Sequence, residues 1–328
     1  MSASRWVALR RRLGAVLIRT LLEGLSGLAR LWPSMRRACR ALSVTKDLAY
    51  GEDPLQRLDV WKRPNLPPDA PCVLLVHGGG FRILSKATHW MMAMRFAEAG
   101  YVVFTIDYRL APEVPFPAAI EDTCRAYLWV LDHAKAHGAD PSRMAFAGES
   151  AGGNLILALT LACCAKRPEP WAAEVFARGV TPQALLPICG FLQVTEPERF
   201  AARPMPTLFR DRIVEVCRGY LGAHPLEPRP ETALADPLLW LESDAEPSRP
   251  LPPMYLAVGS ADPVEEDTHR LAAACARRGT PHQLDVFAGE PHAFHALLWR
   301  PAARKCWAAQ LTFLERVMEA SGPERALP

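Results

Sequence analysis

From residue 45 onward, short β-rich runs alternate with longer stretches of helical periodicity. Such alternation favours a mostly parallel sheet with helices on both faces, because parallel neighbours need a helical crossover between them. We therefore predict an α/β fold built on eight strands. The predicted strands are 45–50, 56–61, 72–76, 102–107, 143–147, 184–188, 254–258 and 283–287, and the predicted helices are 88–99, 118–136, 152–165, 264–278 and 301–320.

One segment does not fit the alternation, because residues 191–253 separate two predicted strands by far more than an ordinary loop. Its apolar side chains, such as Phe200, Ile213 and Tyr220, indicate helices. We expect them to cap the carboxyl ends of the strands, where open α/β sheets bind ligands. A surface excursion unrelated to a site is the alternative. The predicted organisation is an amino-terminal segment (1–44), an α/β domain (45–320) with a cap insertion at about 191–253, and a tail (321–328).

The amino-terminal segment has the pattern of a basic amphipathic helix. Arg19 and Glu23 interrupt any apolar run long enough to span a bilayer, and residues 14–18 are too few for a signal-peptide core. Two interpretations stay open: a helix that packs over the active site as part of the cap, or peripheral contact of residues 1–40 with anionic lipid. The pattern consists of Arg5, Arg12 and Arg19 at heptad spacing and of Trp6, Leu9, Leu13, Leu17, Leu21 and Leu28 on much of the opposite face.

The positive charge of the chain is concentrated in the same segment. Residues 1–45 hold nine arginines against the single acid Glu23, a local charge of +8 in a chain whose formal net charge is +3. The remainder is therefore acidic, and it shows no zinc-ligand spacing, no aromatic-basic RNA-binding motif and no basic stripe. These features argue against a nucleic-acid partner.

Nine cysteines are scattered along the chain without a C-x-x-C pair. An odd number of thiols, several of them inside apolar runs, is typical of a reducing compartment, so we expect a cytoplasmic protein, with membrane association left open. The sequence contains no H-E-x-x-H motif, no His/Cys cluster and no phosphate-binding P-loop. We therefore predict neither a metal site nor a cofactor.

A serine flanked by glycines lies between an apolar run (144–147) and a helix-forming stretch (154–159). The motif reads Gly148, Glu149, Ser150, Ala151, Gly152. Glycines on both sides let the backbone turn sharply from strand to helix, and such a turn presents the serine Oγ at the top of the sheet. The sequence therefore predicts Ser150 as a nucleophile.

Three consecutive glycines follow the predicted strand 72–76, in the run His77, Gly78, Gly79, Gly80. Backbone N–H groups of glycines can approach a substrate closely, so two of them and the N–H of Ala151 would form a pocket for a tetrahedral oxyanion. A flexible turn is the alternative. We expect His77 to hold the loop rather than to transfer protons.

A serine nucleophile needs a histidine to take its proton and a carboxylate to orient that histidine. Asp262 follows the strand 254–258 and His292 follows the strand 283–287, so both suit loops at the top of the sheet. The chain order Ser150, Asp262, His292 is the order typical of α/β-hydrolases. The rival acids are Glu265, Glu266 and Asp267, and the rival bases are His295, His282 and His269.

Together these motifs resemble the hormone-sensitive-lipase-like family of α/β-hydrolases, in which an HGGG motif precedes a GDSAGG or GESAGG motif. Residues 77–80 and 148–153 match these two motifs, residues 107–113 are similar to a third, and the resemblance covers about residues 45–320. It implies an α/β-hydrolase fold with a cap. It also implies oxyanion donors at Gly78, Gly79 and Ala151, and a catalytic group of Ser150, Asp262 and His292.

The sequence thus predicts a serine carboxylesterase or lipase-like hydrolase that acts on short-to-medium acyl or aromatic esters without a cofactor. Its expected partner is a small-molecule ester. Three alternatives stay open: an amidase or deacetylase with the same catalytic group, a non-catalytic small-molecule receptor on the same fold, and a membrane-associated lipase recruited by the arginine helix. A homodimer is also left open.

Overall fold

The computed structural model describes residues 20, 23–202, 205 and 207–320. Eight strands form a single sheet in the order β1-β2-β4-β3-β5-β6-β7-β8, in which β1 pairs antiparallel with β2, β2 pairs antiparallel with β4, and all other pairs are parallel. The predicted α/β class is therefore confirmed. The strands are β1 (Ser43–Ala49), β2 (Arg57–Lys62), β3 (Ala70–Val76), β4 (Val102–Ile106), β5 (Ala139–Glu149), β6 (Ala184–Ile188), β7 (Met254–Gly259) and β8 (His282–Phe287).

Helices lie on both faces of this sheet. Their bounds are α1 (residues 23–29), α2 (Pro33–Arg40), α3 (Trp90–Glu98), α4 (Ala118–His133), α5 (Ala151–Cys164), α6 (Pro170–Ala177), α7 (Thr207–Leu221), α8 (Pro237–Glu242), α9 (Glu265–Arg277) and α10 (Pro301–Ala320). Short 3₁₀ turns cover Ala134–His137, Pro197–Ala202, Pro230–Ala235 and Phe294–Ala296. Among the described residues, no helix combines the length and the apolar character that a membrane crossing requires.

Two hydrophobic cores separate along β3 because successive side chains of a strand point to opposite faces. Leu74 and Val76 belong to the core that packs against α4 and α5. Val73 and Leu75 belong to the core that contains α3 and α10. Both faces of the central strands are therefore buried, which explains their nearly continuous apolar sequence.

The described part of the amino-terminal segment packs on α3. The Trp90 indole N–H donates to Ser26 Oγ at 3.0 Å, and Ser26 Oγ donates to the backbone oxygen of Thr88 at 3.1 Å. The guanidinium of Arg30 lies 5.3 Å from the centre of the Trp90 ring. The heptad arginines and all but one of the predicted apolar face lie outside the described residues, and the exception, Leu28, is 63% exposed.

The insertion between β6 and β7 contacts the glycine loop that follows β3. Tyr220, in α7, stacks on Phe81 with ring centroids 3.7 Å apart, and its backbone oxygen accepts the Phe116 N–H at 2.7 Å. Asn154, in α5, donates through Nδ2 to the backbone oxygen of Phe191 at 3.0 Å. The insertion therefore lies at the carboxyl end of the sheet, where a cap would have to be.

Candidate active site

Ser150 occupies a sharp turn between β5 and α5, with φ 53° and ψ −115°. A side chain in this backbone region is strained, and such strain is characteristic of functional turns. The flanking glycines are required by close approach: a Cβ on Gly152 would lie 2.1 Å from the backbone oxygen of Val76, and one on Gly148 would lie 2.4 Å from the backbone oxygen of Gly152. The glycines at 148 and 152 therefore allow the close backbone packing that holds Ser150 in this turn.

Asp262 and His292 form a hydrogen-bonded pair on the loops that follow β7 and β8. His292 Nδ1 lies 2.8 Å from Asp262 Oδ2, and Asp262 Oδ1 accepts the backbone N–H of Val264 at 2.9 Å. The Asp262 side chain is fully buried, whereas a third of the His292 side chain is exposed. The carboxylate is thus fixed from both oxygens, and it fixes the tautomer that leaves His292 Nε2 free to accept a proton.

The position of Ser150 beside this pair follows from the strand order. Its N–H donates to the backbone oxygen of Ile188 at 3.0 Å, at the end of β6. The next residue, Cys189, has its Sγ within 4.8 Å of the ligand atoms of Asp262 and His292. The ends of four adjacent strands therefore bring the nucleophile, the acid and the base to one edge of the sheet.

Asp262 also changes the pKa of His292. Burial disfavours the charged imidazolium, but the charge and hydrogen bond of Asp262, with a smaller contribution from the Glu149 carboxylate, outweigh burial and raise the pKa of His292 to about 9. A histidine with a raised pKa holds a proton firmly once it has taken it from the serine. Such a shift, caused mainly by a specific hydrogen-bonded partner in a cleft, is characteristic of catalytic groups.

The rival residues make other contacts or lie on other elements. His295 Nε2 stands 3.7 Å from Glu149 rather than beside Asp262, and burial lowers its pKa to about 4. Asp267 is buried against Arg199, which contacts it at 2.9 Å. The remaining rivals lie on helix α9, at Glu265, Glu266 and His269, and at the start of β8, at His282.

His77 anchors the glycine loop. Its Nδ1 lies 2.7 Å from the backbone oxygen of Gly78, its ring stacks on Tyr108 at 4.2 Å, and the Tyr108 hydroxyl donates to its backbone oxygen at 3.0 Å. Burial lowers the pKa of His77 to about 3, so the imidazole is neutral at pH 7. These contacts agree with the structural role expected for it.

One predicted oxyanion donor is already occupied. The Gly78 N–H donates to His89 Nε2 at 3.2 Å, because the start of α3 brings that imidazole against the loop. Among the described residues, no acceptor is paired with the N–H of Gly79 or of Gly80, which have φ 109° and 60°. Ala151 begins α5, so its N–H has no partner within the helix. The expected donor set of Gly78, Gly79 and Ala151 stays a prediction, in which the oxyanion would replace His89 as the acceptor of the Gly78 N–H.

His89 is a site residue that the sequence reasoning missed. Besides accepting the Gly78 N–H, its Nε2 stands 3.6 Å from the Glu149 carboxylate, which is 7% exposed. Its Nδ1 faces the backbone oxygen of Ser85 at 3.2 Å. No motif marks His89, since its place depends on how the chain folds between the glycines and α3.

Cys189 is the second residue that was missed, although its position directly after β6 is a strand-end signal. Cys189, Asp262 and His292 are the one group of three potential metal ligands among the described residues. Burial raises the pKa of the Cys189 thiol well above its ordinary value, and the Ala293 N–H donates to its sulfur. Because His292 Nδ1 and the Asp262 carboxylate already bind each other, this group fits a hydrogen-bonded pair better than a cation site.

A cavity of about 360 Å³ adjoins the site. Glu149 and Ala293, the chain neighbours of Ser150 and His292, line it together with His89. Its volume is within the range of small-molecule sites, about 300–1,000 Å³. The other walls are mostly apolar and come from α1 and the turn after it, from α3 and the loop before it, and from the loop before α10, at Leu25, Leu28, Trp32, Leu84, Met91, Met92, Leu297 and Trp299.

Comparison with known proteins agrees with this geometry. Residues 73–296 match the family model described as alpha/beta hydrolase fold. The chain is 35% identical to esterase LipI of Mycobacterium tuberculosis over 65% of its length and 62% of the relative's. It is 38% identical to hormone-sensitive lipase of Mus musculus, over 42% of its length and 18% of the relative's. It therefore spans less than two thirds of these relatives.

Among solved structures, the bacterial heroin esterase superposes with a TM-score of 0.75 at 25% identity, covering 92% of this chain and 90% of that one. The fold, the family match and the sequence relatives agree with one another and with the motifs at residues 77–80 and 148–153. The chain belongs to the α/β-hydrolase fold family, and its resemblance to the hormone-sensitive-lipase-like members of that family is confirmed.

Proposed function

We propose that this protein is a serine carboxylesterase in which Ser150 attacks the ester carbonyl, His292 takes the serine proton and passes it to the leaving alcohol, and Asp262 orients His292. Water then attacks the acyl-enzyme, with His292 as base, and releases the acid. The observation that carries the proposal is the 2.8 Å pair of His292 and Asp262 beside the strained turn at Ser150. The relatives named above as esterases support the same reaction.

Three N–H groups would stabilise the tetrahedral oxyanion, those of Gly78, Gly79 and Ala151. Preorganised donors of this kind bind charge that develops only in the transition state. His89 and His77 act on the loop rather than on the substrate, since one holds the Gly78 N–H and the other its backbone oxygen. The loop is thereby fixed before the substrate binds, and the oxyanion would take the place of His89 at the Gly78 N–H.

The apolar cavity supports an acyl group of short-to-medium length. Each buried methylene contributes about 0.8 kcal/mol, so we expect kcat/KM for p-nitrophenyl esters to rise about fourfold per added methylene until the cavity is full. The measurement is a series of esters from acetate upward, with the corresponding anilides as amide controls. A flat series would exclude the cavity as the acyl site, and faster cleavage of the anilides would favour an amidase.

Gly79→Ala should disable the oxyanion loop. The residue has φ 109°, which an L side chain rarely adopts, and its Cβ would lie 2.1 Å from the backbone oxygen of Ile83. The loop must move, and the loss of one donor lowers kcat by about 10²- to 10³-fold. We expect this fall in kcat with a much smaller change in KM.

Gly100→Ala is the matched control for backbone strain. Gly100 has φ 100°, and nothing lies within 4 Å of the Cβ that it would gain. Its effect should therefore be confined to thermal stability, with kcat preserved. If the two substitutions lowered kcat equally, general strain rather than loss of an oxyanion donor would be the cause.

A further inference from the structure

Five large apolar side chains cluster, exposed, around the mouth of the cavity. Leu25, Leu28, Leu31 and Trp32 come from α1 and the turn after it, and Trp299 comes from the loop before α10. Each is between 49% and 63% exposed, and four of them line the cavity itself. We call these five residues the apolar rim. A contiguous apolar patch that stays exposed on a protein surface marks an interaction site.

The apolar rim is continuous with the candidate active site. Leu84, Met92, Glu149 and Ala293 also line the cavity, and the last two adjoin Ser150 and His292 in the chain. An acyl chain that entered between Trp32 and Trp299 would therefore lie with its ester end towards the nucleophile. A partner seated on the rim would sit over the entrance used by the substrate.

The charge around the rim is positive. Arg30, Arg36, Arg37 and Arg40 are exposed on the same two-helix segment, in which residues 23–40 hold the single acid Glu23. On the other side, Arg304 donates to the backbone oxygen of Trp299 at 2.6 Å. Exposed leucines and tryptophans with flanking arginines are the combination that binds the headgroup region of anionic lipid.

We propose that the apolar rim docks on the surface of an anionic lipid bilayer, with the rim side chains at the boundary of headgroups and acyl chains and the flanking arginines on the headgroups. Docking in this orientation would place the cavity mouth against the lipid, so esters dissolved in the bilayer enter without crossing water. A second copy of the chain fits less well, because a two-fold contact through the rim would bring the arginines of both copies together.

The test is co-sedimentation of the full chain carrying Ser150→Ala, which binds lipid without hydrolysing it. Vesicles of phosphatidylcholine alone are compared with vesicles that also contain phosphatidylglycerol, each at low and high salt. We expect the mixed vesicles to bind at least about tenfold more tightly, and salt to weaken that binding. Because hydrolysis is not measured, failure here would leave the esterase proposal untouched.

Two variants distinguish binding through the apolar rim from non-specific adsorption to the vesicles. Leu28→Ser combined with Trp32→Ser should lower binding to the mixed vesicles by about tenfold or more. Leu55→Ser, at a side chain that is 52% exposed elsewhere on the surface, should leave binding unchanged. Equal binding by all three proteins, or no binding by the parent, would overturn the proposal. Self-association that the rim substitutions abolish, without vesicle binding, would assign the rim to a second copy instead.

Discussion

Replacing Ser150 by alanine is expected to lower kcat for p-nitrophenyl esters by about four to six orders of magnitude. Without Oγ no acyl-enzyme can form, and the oxyanion donors and the cavity can then only position a substrate for attack by water. Alanine fits the turn as well as serine does, because neither side chain is branched at Cβ and both therefore tolerate φ 53° equally. The measurement is steady-state kinetics on the two purified proteins, with melting temperatures compared to verify folding.

Ser260→Ala is the matched control for the first prediction. Ser260 also follows a sheet strand, β7, and its Oγ accepts the backbone N–H of Gly289 at 2.8 Å. Its hydroxyl serves the loop alone, so the change should affect stability and leave kcat within about a few-fold of the parent. Ester hydrolysis that survived Ser150→Ala but not Ser260→Ala would place the nucleophile elsewhere.

Replacing Asp262 by asparagine is expected to lower kcat by about 10⁴-fold, the fall known for this change in a serine protease. An amide retains the shape of the carboxylate but can favour the wrong tautomer of His292, and it removes the charge that stabilises the imidazolium. The Asp262 side chain is fully buried and accepts two hydrogen bonds. Water therefore has no access to take over the role of the carboxylate in the variant. Steady-state kinetics near pH 9 measures this effect.

The same substitution has a signature in the pH profile. The base must be neutral to accept the serine proton, so kcat/KM should rise as pH increases through the pKa of His292, which Asp262 holds above its ordinary value. Asp262→Asn removes that charge, so the pKa falls and the rising limb moves to lower pH. Asp267→Asn, which changes another buried carboxylate on α9, should leave the limb in place. A limb that did not move with Asp262→Asn would contradict the pairing.

The parts of the site that the sequence predicted share one physical basis. Parallel strands bring their carboxyl ends to the same edge of a sheet, so residues that follow predicted strands become neighbours although they are far apart in the chain. Ser150, Asp262 and His292 each follow a strand, and the structure places all three at that edge. Predicted strand positions were within a few residues of those observed, apart from β5, which extends over Ala139–Glu149.

The parts that the sequence did not predict depend on contacts made across loops. His89 reaches the Gly78 N–H because the loop between the glycines and α3 folds back, and no periodic pattern encodes that path. Helix α6 was missed because its eight residues begin with a proline and are too few for a periodic signal. The apolar rim mixes residues from α1 with Trp299, more than 250 positions away, so only the folded chain brings them together.

The most direct test of the mechanism is covalent labelling with a p-nitrophenyl alkylphosphonate, which mimics the tetrahedral intermediate and stays on the nucleophile. The measurement is intact mass followed by peptide mapping, in parallel with residual esterase activity. We expect one phosphonyl group per chain, on Ser150, with activity lost in proportion to labelling and no label on the Ser150→Ala protein. Complete inactivation with the label on another residue, or undiminished hydrolysis by a protein fully labelled at Ser150, would contradict the proposed mechanism.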